Sequence, residues 1–451
     1  MAKQSGSKKP VTAANVAALG VERLTALLME LGDRTPSLKR RLRMELAAAV
    51  GPGDLALEID KRLDTLSAGR GRISWRKRPE LIADLNVQRV MIAGRLAALD
   101  PDLALARMWA FLRLAHPLSS RTTDPKGELD AVFLAAAADL GGLVGKSSEL
   151  PMQIARSFAD AILADPRHRW SEWMKAAAPG LSVQSAADLL TILENQTHLW
   201  TPKLSWIARV LADVTGDADA FIRAIPEQIR TTPAAGAEIA TRLLRSERAE
   251  EALAALRASD PRKGARNGLL SRGQPAITDY GWETAYIEAL EATSHAEEAQ
   301  AARWASFEHS LSAERLREFV KRLADFDDVE AVDRATAHAF AHRDFYAALT
   351  FLMEWPALPE AAKLIAARRL EINGAAEDIP LWAERLEGRH PLAAVLLMRA
   401  AVLHTLREGD FEPAEIEARV EDIRSLTGNV ADLDGAPSHE DFLREMLKRR
   451  R

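Results

Sequence analysis

Ala249-Glu250-Glu251-Ala252 returns 47 residues later as Ala296-Glu297-Glu298-Ala299, and each copy is followed by a small-residue pair, Ala254-Ala255 and Ala301-Ala302. Recurrence of one helical unit at a fixed distance is the signature of stacked helical hairpins. Around the second copy, Trp282, Tyr286 and Leu290 share one face of a first helix. Ala299 falls where a second helix must approach it, with Trp304 and Phe307 as bulky fillers. Small residues at a crossing and aromatics around it let two helices nest. The spacing from Trp282 to Ala299 is close to that of a tetratricopeptide unit, although the glycine of that motif is missing and its terminal proline is replaced by Leu311. The expected fold is all-α, a superhelical array of antiparallel helical hairpins, that is, a tetratricopeptide-like α-solenoid.

Helix starts point the same way. Thr35-Pro36, Asp100-Pro101, Asp124-Pro125, Thr201-Pro202 and Thr232-Pro233 each put a capping oxygen directly before a proline. The oxygen accepts from an otherwise unpaired backbone N–H, and proline at the first helical position loses no hydrogen bond. Leu38, Leu42, Leu46 and Ala49 fall on one helical face, as do Leu316, Phe319, Val320 and Leu323. No stretch has the period-two alternation of a strand. Two breaks interrupt the helical pattern, Pro117–Gly127 and Ser259–Gly281. The organisation read from these signals is a disordered lead over 1–11, a basic helical region over 12–118, a helical-repeat array over 127–427 and a tail over 428–451.

At 451 residues the chain exceeds one compact core. It contains no cysteine. That removes disulfides, thiolate zinc sites, iron–sulfur clusters and a cysteine nucleophile. Met1–Pro10 is polar and lysine-bearing rather than apolar. With no apolar run near 20 residues, the expectation is a cytoplasmic protein that makes no membrane contact. Charge is uneven: residues 1–100 carry 18 Lys and Arg against 11 Asp and Glu, a net +7 that leaves −12 on the other 351 residues. Such a basic head favours anionic partners at one end.

Several stretches together resemble an uncharacterised bacterial family of helical-repeat proteins of unknown function. They are Asn15–Leu24, Leu38–Arg43 with Glu45-Leu46, Glu298–Trp304 continuing to Leu311–Glu314, Asp325–Glu330 and His390–Ala394. The resemblance covers most of residues 12–407, and members look similar to the helical C-terminal part of SWIM zinc-finger proteins. The resemblance carries no established activity. This chain lacks the cysteines of a SWIM finger, so the finger's nucleic-acid role does not transfer. After Leu406 it departs from the family's longer helical tail, ending in an acidic segment, Glu408–Asp441, and a basic tip, Lys448–Arg451.

Candidate chemistry is sparse. Gly141-Gly142-Leu143-Val144-Gly145-Lys146-Ser147 invites a phosphate-loop reading, but the required upstream glycine is Leu140 and the preceding segment is an alanine-rich helix. A helix ending at glycine explains it. His338 and His342 stand four apart with Asp344 nearby but have no third ligand. Asp327 and Asp328 begin a helix, where acids are favoured. Trp109, Trp206, Trp304 and Trp382 sit among helical apolar positions and read as core.

The strongest binding candidate is Arg70-Gly71-Arg72-Ile73-Ser74-Trp75-Arg76-Lys77-Arg78. Its binding residues are Arg70, Arg72, Trp75, Arg76, Lys77 and Arg78. Cations can neutralise phosphates or acidic side chains while the indole stacks on a base or fills a partner's pocket. The competing reading has Trp75 anchoring the loop in the core and the arginines paired with acids of nearby helices. A second basic stretch, Arg262, Lys263, Arg266 and Arg272, lies in the glycine-rich break. The expected function is a non-enzymatic interaction scaffold or adaptor with a protein partner and no cofactor. A nucleic-acid-binding role of the basic head is the first alternative, and an enzyme with a site in the superhelix groove is the second.

Overall fold

The structure, a computed structural model, describes residues 10–196, 201–261, 279–324, 326–409 and 411–449. The chain divides into two compact units, Met1–Thr231 and Thr232–Arg451. Among the described residues every regular element is helical; the single extended pairing is an isolated bridge between Ile73 and Thr122.

In the first unit the helices run α1 Ala13–Ala17, α2 Val21–Arg34, α3 Pro36–Val50, α4 Pro52–Ala68 and α5 Arg78–Val90. A π-type stretch, Met91–Leu96, continues α5 into the short α6, Ala97–Leu99. Then follow α7 Pro101–Arg113, α8 Ala115–Ser119, α9 Glu128–Val144, α10 Pro151–Leu163 and α11 Trp170–Ala177. The unit closes with α12 Val183–Glu194, α13 Pro202–Thr215 and α14 Ala218–Ala224. Contacts run mainly between helices one or two places apart in the chain, such as α7 on α9, α9 on α11 and α10 on α12.

The threonine–proline and aspartate–proline pairs explain some of the helix starts. Asp100 and Thr201 accept from the third residue of the helices they precede, Leu103 at 2.9 Å and Leu204 at 3.3 Å. Thr232 does the same to Ala235 at the head of Pro233–Arg245. Thr35 precedes α3 without such a bond. Asp124 behaves differently, because its helix begins at Glu128 rather than Pro125. The carboxylate reaches over a turn at Gly127 (φ +68°) to accept from Glu128 N and Leu129 N at 3.1 and 2.7 Å. The expected core face of α3 is also displaced. Met44 and Ala48 are buried, whereas Leu46 is 71% exposed. Neighbouring helices thus choose a face that the periodicity of α3 alone leaves open.

The glycine-rich Gly141–Ser147 stretch is the end of α9. At Gly141 α9 passes so close to α11 that a methyl group there would overlap the Ala177 carbonyl. Gly180 in turn lies against the Gly141 carbonyl. These glycines permit two backbones to touch, which is a packing role.

In the second unit the recurring Ala-Glu-Glu-Ala segments open the helices Ala249–Ala258 and Ala296–Ser310. Their turns match: Glu247 and Ser294 have φ of +59° and +62°, and Arg248 N and His295 N donate to Leu243 O and Leu290 O, both at 2.8 Å. Ala252 and Ala299 are fully buried at the helix crossings. A related bond, Ala357 N to Leu352 O at 2.9 Å, precedes Leu358–Ala367, where Ala361 occupies the equivalent buried place. Trp304 and Phe307 enter a core that continues through Phe345, Phe351, Leu364 and Trp382. The segment 428–451 contains the helix His439–Arg449, and Phe442 packs with Val395, Val402, Ile416 and Ile423.

Trp304 and Trp382 are buried as expected, and Trp109 is half-buried; Trp206, however, is 38% exposed, with the Arg209 guanidinium 4.8 Å from its ring centre. His342 is the residue that caps the end of the helix Asp327–Ala341, and its ring lies 6.2 Å from that of His338. Among the described residues no cluster of three or more metal-ligating side chains exists.

The close contact gives a paired test. Gly141→Ala should cost about 1–3 kcal/mol of unfolding free energy, because backbone rather than a flexible side chain opposes the methyl. Gly142→Ala, which meets nothing within 4 Å, should be neutral or stabilising by up to about 1 kcal/mol through helix propensity. Urea denaturation of both variants checks the contrast.

Candidate anion-binding loop

The basic segment joins α4 to α5, and a second loop between α8 and α9 holds it. The Arg121 side chain passes over Gly69 and donates to the Leu66 carbonyl, satisfying an acceptor left open at the end of α4. Further on, Ile73 N donates to Arg121 O at 2.9 Å. Ser74 O then accepts from Lys77 N and Arg78 N at 3.0 and 3.1 Å, turning the chain into α5. Four main-chain and side-chain ties therefore fix a segment of about nine residues that has no hydrophobic core of its own.

Within this frame the candidate residues divide. Arg78 points inward: its side chain is 15% exposed, donates to Thr123 O at 2.9 Å and lies 3.5 Å from the Glu128 carboxylate. It belongs to the support of the loop. Trp75 does the opposite of anchoring. It is 71% exposed, with the Arg76 guanidinium 5.1 Å from its ring centre. Arg70, Arg72, Arg76 and Lys77 are exposed and make no ion pair among the described residues.

Other cations of the first unit are paired. Arg40 and Arg62 both bind Asp84, at 2.6 and 2.5 Å, and Asp84 is 1% exposed. Arg89 pairs with Asp139 at 2.5 Å, Arg107 with Asp60 at 2.8 Å and Lys39 with Asp33 at 2.8 Å. These helical cations are used within the fold, while Arg70, Arg72, Arg76 and Lys77 keep their charge for solvent or a partner. Four unpaired cations around an exposed indole can take an anionic surface that also offers an aromatic or apolar face.

Sequence reasoning placed the loop but missed Arg121, the residue that holds it. Nothing near position 121 marks that role, since its partners lie about 50 residues earlier. The second basic stretch, Arg262, Lys263, Arg266 and Arg272, lies outside the described residues.

Loss of the Arg121 guanidinium should loosen the loop without unfolding the unit. Arg121→Ala is expected to cost about 1.5–3 kcal/mol, the range for a hydrogen bond from a charged donor, and to speed amide exchange at Ile73, Lys77 and Arg78. Arg72→Ala should leave those rates unchanged. Hydrogen–deuterium exchange resolved to these amides tests both.

Residues 6–203 and 193–450 match the family of unknown function DUF6880, and the chain belongs to that family. No curated protein and no solved structure matches it.

Proposed function

We propose that this member of a family of unknown function is a non-enzymatic interaction scaffold that engages an anionic protein surface through the loop Arg70–Lys77. The observation that carries the reading is an indole 71% exposed amid four cations that the fold leaves unpaired. Tryptophan and arginine are the residues that most often dominate binding energy at protein interfaces. Exposing an indole in this way forgoes about 1.5–3 kcal/mol that burial of a large apolar side chain would return, which a bound partner can recover.

The architecture we read behind the loop is a stack of antiparallel hairpins within each unit. Support comes from the predominance of contacts between helices one or two places apart and from the matching turns before Ala249 and Ala296. Such stacks present side chains on rigid walls and recognise partners passively. A likeness to the helical part of SWIM zinc-finger proteins and a cytoplasmic setting complete this reading; among the described residues no helix is long and apolar enough to cross a membrane.

A second reading, nucleic-acid binding, draws on the same exposed indole, since bases stack on aromatics while cations neutralise phosphates. Affinity capture of the tagged chain from native lysate, with and without nuclease, separates the two. The scaffold reading expects a stoichiometric protein partner that survives nuclease and is lost from a variant combining Arg72→Glu, Trp75→Ala and Arg76→Glu. Recovery abolished by nuclease would transfer the loop to nucleic acid. A partner retained by the triple variant would remove the loop from the interface.

A further inference from the structure

A second site lies in the first unit, apart from the basic loop. Helices α7, α10 and α11 enclose a cleft of about 580 Å³, within the range of small-molecule sites. Small and large side chains line it together: Ala106, Ala161 and Ala164 with Trp109, Trp170 and Trp173. The floor is aromatic and fixed. Trp170 packs edge-on against Trp173 and Phe158, both at 5.5 Å, and Trp109 lies 5.8 Å from Trp170. Trp109 packs edge-on with Phe158 at 4.9 Å and is only half-buried, so part of the residue stays accessible to an occupant.

The walls carry opposite charge. Arg113 and His116 follow Trp109 by four and seven positions and face the cleft with it. Asp160 comes from α10, and Glu149 comes from the loop before it, where Ser148 N and Oγ donate to Asp102 at 2.8 and 2.5 Å. Asp165 and Arg169 also line the cleft but are used internally. Asp165 accepts from backbone N–H groups at the start of α11 and lies 3.6 Å from Arg169, and Arg169 donates to Ser119 Oγ at 2.5 Å. Arg113, His116, Asp160 and Glu149 make no side-chain hydrogen bond or ion pair among the described residues.

A ligand that satisfies this cleft needs a flat ring for the tryptophan floor, an anionic group for Arg113 and hydroxyl or amino donors for the two carboxylates. A lone aromatic acid supplies the first two only, and it underfills the volume. We propose that the cleft binds a nucleoside monophosphate, with the base against Trp109, the phosphate on Arg113 beside His116, and the ribose hydroxyls donating to Asp160 and Glu149. Arginine suits the phosphate because its fork of donors matches two oxygens at once. Ionised carboxylates are acceptors only, and hydroxyls are the complementary donors. The cleft is separate from the loop Arg70–Lys77, so the two readings stand or fall independently.

Calorimetry with AMP, GMP, CMP and UMP tests the assignment, with the parent nucleosides, adenosine among them, and ribose 5-phosphate as partial ligands. The expected result is one-to-one binding of at least one mononucleotide, with both of its fragments weaker by about tenfold or more, the equivalent of 1.4 kcal/mol. Arg113→Gln should weaken the mononucleotide by about tenfold while leaving adenosine unchanged. Trp109→Leu should weaken adenosine and mononucleotide alike, and Asp160→Asn should weaken ribose 5-phosphate. Arg72→Glu in the basic loop should change none of these values, which separates the cleft from phosphate binding on that loop. Thermal melting of each variant confirms that the fold is retained. Absence of binding for all four mononucleotides at millimolar concentration would overturn the proposal. So would affinity that survives both Arg113→Gln and Trp109→Leu, or that disappears with Arg72→Glu.

Discussion

The Asp84 carboxylate, 1% exposed, holds the basic head together. Arg40 of α3 and Arg62 of α4 take its two oxygens, Oδ1 and Oδ2, at 2.6 and 2.5 Å, so one acid on α5 joins three helices. A carboxylate taken out of water is stable only when its charge is matched and its lone pairs are filled, and two arginine forks do both. Removing one partner of a fully buried pair costs about 3–5 kcal/mol; the arginines here are about a quarter exposed, which lowers that figure. The cations of residues 1–100 therefore have two fates. Some pair with acids such as Asp84, Asp139 and Asp60, and others stay unpaired on the loop between α4 and α5.

What leaves the loop cations unpaired is the way the loop is fixed. Its ties run to backbone carbonyls of the α8–α9 connection and to the Leu66 carbonyl. Among the described residues the carboxylate paired with this segment is that of Glu128, and Arg78 takes it. An ordered frame also lowers the conformational cost of binding, since less loop entropy is lost when a partner arrives. The same α8–α9 region helps shape the aromatic cleft, because Ser119 at the end of α8 receives Arg169. Both candidate surfaces of the first unit thus rest on short elements that carry little apolar surface themselves.

Much of the helical skeleton is legible in the sequence because its signals are local. Asp100 and Thr201 cap within three residues, and the alanines that meet at crossings, Ala252 and Ala299, are marked by their recurrence. Features set by distant partners are not legible. Leu46 faces solvent because the neighbours of α3 select Met44 and Ala48, and Asp124 skips a turn to reach α9. Gly141 needs its missing side chain only because Ala177 lies 36 residues ahead in the chain and against it in space. The candidate loop shows the same limit. Its composition reads as basic and aromatic, but it does not mark that Trp75 faces solvent while Arg78 turns inward to Thr123 and Glu128.

The central claim is that Trp75 and its unpaired cations form a contact surface. Hydroxyl-radical footprinting measures this directly, by comparing oxidation of Trp75 in the purified chain with that in the complex recovered from native lysate. The account predicts rapid oxidation of Trp75 in the free chain and strong protection in the complex, while the exposed Trp206 in the same unit reacts equally in both. Equal oxidation of Trp75 in both states would contradict it, and so would slow oxidation in the free chain.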